Sequence, residues 1–364
     1  MTTYSPETFK PLLKKLVQKP EYFSPEDLRA TLEHVFTPGA VSDAQLGAFM
    51  TALHIQRVER RPEMLMTAAA LLRERALKAN VLDREGDYIV DIVGTGGDGY
   101  SLFNVSTTAA IVAAGAGARV IKHGSRASTS ASGSADLLQS LDCLFPAPSP
   151  DIANPIPKIP FTFILAPHYH PTLAAIAPYR KALPFRTMFN VLGPLLNPAK
   201  PSGMVLGVAE KEIGETFAHS IKDAGATRAM VVCGYEGLDE ISCAGPTHVW
   251  SFDEENEEVV ESTISPADFG VKAHPLADVG GSSAQENAKT FVRLLQRNGE
   301  PVEEDLIPVL DFVIINAGAL LKISGLAKTY KEGADMARES VLSGKAWSAL
   351  VEFREQGRQA HIQS

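Results

Sequence analysis

The chain has 364 residues, of which 45% are hydrophobic and 21% charged, and its formal net charge is −9 at pH 7. This length predicts one large domain with a smaller second one, and the acidic balance argues against a broad nucleic-acid-binding surface. The three cysteines lack metal-ligand spacing, the N-terminus lacks a signal-peptide core, and no run reaches the roughly 18 apolar residues of a membrane span, so we predict a cytoplasmic protein.

Residues up to about Leu82 are predicted to form helices without a strand. Ser24 and Ser42 each precede a segment with helical periodicity, and Pro25 suits the first position of the helix after Ser24. A third helix is predicted for RPEMLMTAAALLRERAL. The N-terminal part is therefore predicted to be a small helical domain.

From Asp87 onward, short apolar strands alternate with helices. The segments DYIVDIV, ARVIKHG, FTFILAP, MVLGV and AMVVCG are predicted strands, and a helix of small residues follows Asn104. Strand, loop and helix at this spacing form βαβ units, which predict parallel strands packed between helices. From about Ala284 the chain is again predicted to be helical, so that helices cover a central parallel sheet.

The first predicted strand is followed by GTGGDG, in which Gly94, Gly96 and Gly99 fit the dinucleotide-binding pattern G-x-G-x-x-G. That pattern requires a carboxylate about 20 residues later to hold a ribose hydroxyl. The chain has Lys122 and His123 there, which excludes a nicotinamide site, and no Gly-Lys-Ser/Thr follows to make a nucleotide-triphosphate loop. The remaining functional interpretation is an anion site of backbone N–H groups at a helix N-terminus.

A second polar loop, KHGSRASTSASGSADLL, follows the next predicted strand and contains six serines or threonines and two glycines. By itself such a run is typical of a flexible surface linker. Because the carboxyl ends of parallel strands meet at one edge of a sheet, the two loops together predict a phosphate-binding clamp. Asp98 in the first loop then indicates a ligand that carries sugar hydroxyls or a magnesium ion as well as phosphates.

Two adjacent carboxylates, Asp239 and Glu240, follow the strand AMVVCG in a loop with Gly234 and Gly237. Oxygen ligands of this kind suit magnesium, which is held by one or two carboxylates and the phosphates of a substrate. A solvated acidic turn is the alternative for such a pair, and the position at the sheet edge favours the metal.

Basic residues follow a helix that is predicted to begin near His170. These are Arg180, Lys181 and Arg186, and an arginine fork binds a carboxylate through two hydrogen bonds. Surface charge is the simpler explanation for Lys181.

These motifs resemble the anthranilate phosphoribosyltransferase family over nearly the whole chain. The resemblance rests on GTGGDG with NVST, KHGSRAS with SGSADLL, YRKALPFRTMFNVLGPLLNP, GLDEIS, and GGSSAQENA with INAGALL. It implies transfer of phosphoribosyl from phosphoribosyl pyrophosphate to anthranilate in tryptophan biosynthesis, with Mg²⁺, in a cytoplasmic homodimer without nucleic-acid or membrane partners. It also implies an α/β fold of the class II nucleoside-phosphorylase and phosphoribosyltransferase type, with a small helical domain (1–84 and 166–190) and a large domain around a mainly parallel sheet (85–165 and 191–364).

The resemblance also implies roles for individual residues. Lys122, His123 and Arg180 would be catalytic, with Arg180 facing the anthranilate carboxylate, and Ser106, Asp239 and Glu240 would hold the metal. The substrate-binding residues would be Gly94, Thr95, Gly97, Asp98, Asn104, Ser106, Thr107, Lys122, His123, Gly124, Ser125, Ser134, Arg180 and Pro194. His123 and Pro194 would line the path of the aromatic ring.

The chain departs from the family pattern at three positions. Ser125 stands where asparagine is usual, Ala131 replaces a common lysine, and Leu102 replaces a frequent serine or threonine. None of these changes removes the acidic pair or the first glycine loop, so we expect activity. Two alternatives stay open at this stage: a pyrimidine-nucleoside phosphorylase, and a non-catalytic nucleic-acid-binding relative.

Overall fold

The computed structural model describes residues 3–82, 86–127, 131–145, 147–148, 155–256, 258–297 and 299–363. The helices in these ranges are α1 (Pro6–Gln18), α2 (Pro25–Val35), α3 (Asp43–Ile55), α4 (Pro62–Glu74), α5 (Val105–Gly115), α6 (Ser134–Ser140), α7 (Ala166–Tyr169), α8 (Ala177–Ala182), α9 (Met188–Val191), α10 (Gly214–Asp223), α11 (Ala284–Leu295), α12 (Ile307–Ile323), α13 (Tyr330–Leu342) and α14 (Lys345–Gln363). The strands are β1 (Asn80–Val81), β2 (Ile89–Gly94), β3 (Arg119–Gly124), β4 (Pro155–Ile156), β5 (Phe161–Leu165), β6 (Gly203–Gly207), β7 (Arg228–Gly234), β8 (Thr247–Phe252) and β9 (Val260–Ile264).

The chain forms two compact units. Unit 1 consists of Met1–Leu77 and Pro167–Pro198, and unit 2 consists of Lys78–Ala166 and Ala199–Ser364. The first boundary predicted from the sequence, residue 84, lies outside the described residues, and the one at 190 falls eight residues before the end of unit 1.

The first three helices of unit 1 begin with the same capping arrangement. Ser5, Ser24 and Ser42 precede α1, α2 and α3, and each side chain accepts a hydrogen bond from the backbone N–H three residues later. The side chain of that third residue accepts in turn from the serine N–H, so two otherwise unsatisfied donors are bonded at each helix start. Together the helices bury an apolar core that includes Phe9, Leu28, Leu32, Phe49 and Leu72.

The segment around Arg180 differs from the sequence prediction. Instead of one helix from His170 with the basic residues after it, the chain forms α7, a short 3₁₀ turn and then α8, which contains Arg180 and Lys181. Pro171 and Pro178 explain the break, because a proline lacks the N–H donor and is accepted only in the first turn of a helix.

The core of unit 2 is a seven-stranded sheet with the order β5-β3-β2-β6-β7-β8-β9. The first five strands are parallel, with Val90 opposite Val120 on one side and Gly203 on the other. These strands are buried on both faces, which explains their continuous apolar sequences. The predicted mainly parallel sheet is thus present in the structure.

Four strands, β1, β4, β8 and β9, were absent from the sequence prediction. β8 and β9 extend the sheet in antiparallel pairs, and β1 pairs with β4 at a point where only helices were predicted. In β9 the residues from Val260 to Thr263 are exposed, so it has no buried run, and β1 has only two residues. Neither strand therefore carries the hydrophobic pattern by which a strand is recognised.

Helices α5 and α12 are almost entirely buried in unit 2. A Cβ on Gly333 of α13 would lie 2.3 Å from the carbonyl oxygen of Gly318, so α12 and α13 cross in backbone contact. The segment Glu304–Ile323 is long and apolar enough to span a membrane, but 83% of its apolar 18-residue window is buried within the fold. It is therefore the central core helix of this unit.

The last helix, α14, was not predicted. Its residues Ala346, Ala349, Leu350 and Phe353 are buried at helical spacing, so the necessary pattern is present in the sequence. The three cysteines are free and buried.

Candidate active site

The first glycine loop leaves β2 at Gly94 in a conformation that only glycines adopt readily. Gly96, Gly97 and Gly99 have φ angles of 69°, 77° and 83°, in the left-handed region. The Asp98 carboxylate accepts a hydrogen bond from the Tyr100 N–H at 3.1 Å. Asp98 thus stabilises the turn itself, a role that sequence analysis did not give it.

Asp239 lies directly across the ends of β2 and β6. A Cβ on Gly94 would lie 2.2 Å from its carboxylate oxygen Oδ2, and one on Gly207 would lie 1.6 Å from its backbone oxygen. The Gly96 N–H donates to the same Oδ2 at 2.6 Å, and the Thr95 N–H donates to the Gly207 carbonyl at 2.9 Å. Both strands therefore end in glycine because the acidic loop occupies the space of a side chain.

Lys122 lies at the centre of this arrangement and is only 1% exposed. Its Nζ donates to the Ile92 carbonyl and lies 3.4 Å from Ser106 Oγ. Burial lowers the pKa of Lys122, while the neighbouring carboxylates Asp91, Glu240 and Asp239 act in the opposite direction. The ammonium group is thus close to both the first loop and the acidic pair.

Glu240 has a pKa well above that of an ordinary glutamate. Burial is the main cause and the Asp239 carboxylate the second, while Lys122 and a hydrogen bond from Ser106 lower the pKa. A buried carboxyl group with a raised pKa beside a second carboxylate is a site at which a cation would stabilise the charged form.

The donor set suits magnesium. In the ranges that the structure describes, no group of three or more His, Cys, Asp and Glu side chains could hold a metal alone. Asp239, Glu240 and the Ser106 hydroxyl provide hard oxygen ligands, and Mg²⁺ commonly completes such a set with waters and substrate phosphates. The residues therefore fit the predicted ion.

The second loop joins the first through side-chain and close backbone contacts. Thr107 Oγ1 donates to Ser134 Oγ at 2.9 Å, which connects the start of α5 to the start of α6. A Cβ on Gly124 would lie 2.7 Å from the Phe163 ring, and the exposed Ser125 accepts a hydrogen bond from a backbone N–H of α6 through its carbonyl group. His123 is buried, and its backbone N–H donates to Asp91. Residues 128–130 of this loop lie outside the described residues.

Both parts of the chain match the models of one enzyme family. Residues 10–76 match the helical bundle domain of a glycosyl transferase family, and residues 86–347 match its a/b domain. The anthranilate phosphoribosyltransferase of Schizosaccharomyces pombe is 39% identical over 95% of this chain and 97% of that protein. The chain belongs to the anthranilate phosphoribosyltransferase family.

Solved anthranilate phosphoribosyltransferase structures agree with this assignment. The Saccharomyces cerevisiae enzyme in complex with PRPP and Mg is 32% identical, with a TM-score of 0.87 over 98% of this chain and 99% of that one. The same enzyme in complex with 4-fluoroanthranilate is 30% identical, with a TM-score of 0.85 and the same coverage. These relatives confirm the predicted family and fold class, and they do not support the phosphorylase or nucleic-acid-binding alternatives.

The structure adds a third segment, residues 279–281, to the surroundings of the site. Sequence analysis assigned this segment no role. The Phe103 N–H donates to the Val279 carbonyl at 3.0 Å, and Leu102 forms a bridge with Gly280. A Cβ on Gly281 would lie 2.1 Å from the Leu102 carbonyl oxygen. The two adjacent glycines in VGGSS were the available signal. Because Leu102 takes part through its backbone, its departure from the family pattern leaves this contact intact.

Asp136 is a second residue that sequence analysis missed. Its carboxylate accepts from the N–H groups of Ala127 and Gly133 at 2.7 and 3.0 Å. A Cβ on Gly133 would lie 2.3 Å from the Ala127 nitrogen, so Gly133 and Ala127 approach each other closely beside this carboxylate. An aspartate at the third position of a helix was the available signal.

The structure thus brings together, within unit 2, all of the predicted site residues except Arg180 and Pro194. Those two belong to unit 1, where Pro194 is buried in a short 3₁₀ helix. The Arg180 Nε is buried and has no hydrogen-bond partner among the described residues, and burial lowers the pKa of the guanidinium. An arginine in this state has hydrogen-bonding capacity left for an anion.

Proposed function

We propose that this chain transfers the phosphoribosyl group of phosphoribosyl pyrophosphate to the amino group of anthranilate, in tryptophan biosynthesis. One observation carries the proposal: Lys122, the glycine-loop N–H groups and the Asp239–Glu240 pair share one edge of the sheet. The ammonium and the N–H groups suit phosphates, and the carboxylate pair suits a cation that is bound to those phosphates. The family to which the chain belongs supports the choice of substrates.

The reaction needs no strong base. The neutral aromatic amine forms a bond from its nitrogen to C1 of the ribose while the bond from C1 to the pyrophosphate oxygen breaks, and pyrophosphate leaves with the electron pair. The amine nitrogen then loses a proton to solvent. Lys122 and the N–H groups of the first loop stabilise the charge that develops on the leaving pyrophosphate, and the remaining contribution is positioning.

Asp239, Glu240 and Ser106 would hold Mg²⁺. When bound, the ion supplies charge neutralisation for the pyrophosphate. The protein's own part is to hold the two carboxylates in place, through the Gly96 N–H on Asp239 and through Lys122 and Ser106 near Glu240.

Arg180 is proposed to bind the anthranilate carboxylate, and His123 and Pro194 to line the path of its ring. The buried, unpartnered Nε of Arg180 supports the first assignment. Phosphate is proposed to bind to Gly94, Thr95, Gly97, Thr107, Gly124, Ser125 and Ser134, besides Lys122.

The activity is tested by following the fluorescence of anthranilate with purified protein, phosphoribosyl pyrophosphate and Mg²⁺. We expect the fluorescence to fall only when all components are present. A protein that leaves anthranilate unchanged under these conditions would refute the proposal.

The metal assignment is tested with the double variant Asp239→Asn and Glu240→Gln, which should remove turnover while the protein stays folded. Glu255→Gln with Glu258→Gln is the matched control, because it removes two exposed carboxylates from the same unit. Retained turnover at normal Mg²⁺ in the first variant would exclude these two residues as metal ligands.

We also propose that the chain forms a homodimer through unit 1. Helix α3 exposes Ala48 and Ile55, and Val17 of α1 lies beside them, so a contiguous face of apolar and small residues is open to solvent. Such a face lets the backbones of two identical helices approach closely, which suits a second copy of the chain. Light scattering should give twice the 39.1 kDa chain mass, and Ala48→Arg should halve it, whereas Ala175→Arg on another exposed surface should not.

A cytoplasmic location without nucleic-acid or membrane partners is proposed as well. The reduced, buried cysteines and the net charge of −9 support it. Cell fractionation checks it, and recovery of the protein with membranes or with nucleic acid would contradict it.

A further inference from the structure

Asn287 lies in α11, outside the set of predicted site residues, and is 3% exposed. Its Oδ1 accepts from the Ser282 backbone N–H at 2.9 Å, and its Nδ2 donates to Asn104 Oδ1 at 2.9 Å. Asn104 Nδ2 then donates to the Ser132 carbonyl at 2.9 Å. A continuous row of three hydrogen bonds therefore passes through two side-chain amides.

The direction of every bond in this row is fixed by the backbone. A backbone N–H at Ser282 can bond only to the oxygen of the Asn287 amide, so the nitrogen of that amide must face Asn104. Asn104 must therefore present its oxygen to Asn287 and its nitrogen to the Ser132 carbonyl. Neither amide can rotate without the loss of at least one hydrogen bond of the row.

The row connects three segments that surround the anion site. Ser282 follows Gly281, whose N–H donates to the Ser101 carbonyl of the first loop at 2.8 Å. Asn104 is the residue before α5, and Ser132 lies in the second loop, two residues before α6. Asn287 is thus the residue that ties the first loop, the second loop and the 279–282 segment to one helix.

The row also changes the interpretation of Asn104. Sequence analysis assigned Asn104 to substrate binding, but its side-chain oxygen and nitrogen both form hydrogen bonds within the protein. We infer that Asn287 is a positioning residue for the phosphoribosyl donor: through Asn104 it fixes the loops that bind the phosphates. This inference rests on the proposed function and deepens it.

The experiment measures the Kd for phosphoribosyl pyrophosphate with Mg²⁺ by calorimetry, together with kcat and KM. For Asn287→Ala we expect about a tenfold higher Kd, which corresponds to about 1.4 kcal/mol. The kcat at saturating donor should change by less than about threefold, because Asn287 is not expected to touch the reacting atoms.

Asn287→Asp is the second variant, because it keeps the volume and the bond to Ser282. It replaces the donor that faces Asn104 with an acceptor, so Asn104 must either face an oxygen or turn and lose Ser132. The Kd should rise at least as much as in Asn287→Ala. In the double variant with Asn104→Ala, the further change of Asn287→Ala should raise the Kd by less than about twofold, because the bond is already absent.

Ser340→Ala is the matched control. Its hydroxyl is buried in the same unit and donates to the Val112 carbonyl at 2.8 Å, so this variant also loses one buried hydrogen bond. We expect its Kd for phosphoribosyl pyrophosphate to equal that of the wild type.

If the wild type binds the donor and the Kd is unchanged in both Asn287 variants, the inference about Asn287 is overturned and the proposed function is not. An equal rise in Ser340→Ala would also overturn it, because the effect would then come from general destabilisation. A wild type that binds no phosphoribosyl pyrophosphate would overturn the proposed function and this inference together.

Discussion

Replacement of Gly207 by alanine should remove activity while the rest of the fold survives. Gly207 ends β6 with an ordinary φ angle, so alanine is allowed by the backbone there. The obstacle is the backbone carbonyl oxygen of Asp239, which would lie 1.6 Å from the new Cβ. The substitution therefore acts on the acidic loop and not on the strand conformation.

The size of the effect follows from this contact. Real Cβ contacts are not shorter than 3.0 Å, so the Asp239 carbonyl would have to retreat from 1.6 Å by about 1.4 Å. Overpacking in a close-fitted interior costs about 1–3 kcal/mol of unfolding free energy. A displacement of about 1 Å in a positioned group costs about a hundredfold in rate. We expect kcat/KM to fall about a hundredfold or more, with a higher requirement for Mg²⁺.

The assay is the anthranilate fluorescence measurement at several Mg²⁺ concentrations, combined with urea unfolding of the same samples. Gly245→Ala is the control, because it is the same substitution in unit 2 at a position with open space around the new Cβ. The reasoning fails if folded Gly207→Ala keeps kcat/KM within about twofold of the wild type. It also fails if Gly245→Ala loses as much activity.

Three further predictions concern buried polar groups. Arg180→Ala should raise the KM for anthranilate at least about tenfold through the loss of a charge-assisted bond, with the KM of the donor unchanged; an unchanged KM for anthranilate would exclude the contact. Asn316, whose amide bonds to both backbone groups of Ile241, should on replacement by alanine raise the Mg²⁺ concentration for half-maximal rate, and an unaltered Mg²⁺ titration would contradict this. Burial lowers the pKa of His170 to about 4, so the unfolded chain binds the proton first and stability decreases as the pH falls from 6.5 towards 4. Urea unfolding should show a loss of about 2 kcal/mol between pH 7 and pH 5 that His170→Gln lacks, and an equal loss in that variant would refute the assignment.

The parts of the site that the sequence predicts are those carried by strand ends. Parallel strands place the loops that follow them at one edge of the sheet. The proximity of GTGGDG, Lys122 and Asp239 could therefore be predicted from strand positions alone. Their residue types then indicate the chemistry, because N–H groups and ammonium suit phosphates and carboxylates suit a cation. The structure agrees with this part of the prediction within unit 2.

The parts that the sequence does not predict depend on contacts between distant segments. Asn287 meets Asn104 across 183 positions, and no local pattern marks a buried asparagine as a partner of one particular loop. Leu102 bonds to Gly280 in the same way, through backbone groups that carry no sequence information. The break in the helix predicted from His170 could have been predicted, because Pro171 and Pro178 are both present in the sequence.

The strand order explains why a phosphate loop and a metal-binding pair occur at the same place. From β2 the chain continues to β3 on one side and later returns through β6 on the other side, so the loops after β2 and β6 diverge at this point. A crevice forms outside the strand ends where neighbouring connections separate in this way. The glycine ends Gly94 and Gly207 leave room for Asp239 in that crevice, and the Gly96 N–H bonds to its carboxylate. The anion-binding loop and the cation-binding pair are therefore parts of one hydrogen-bonded structure, so a change that moves either of them must also move the other.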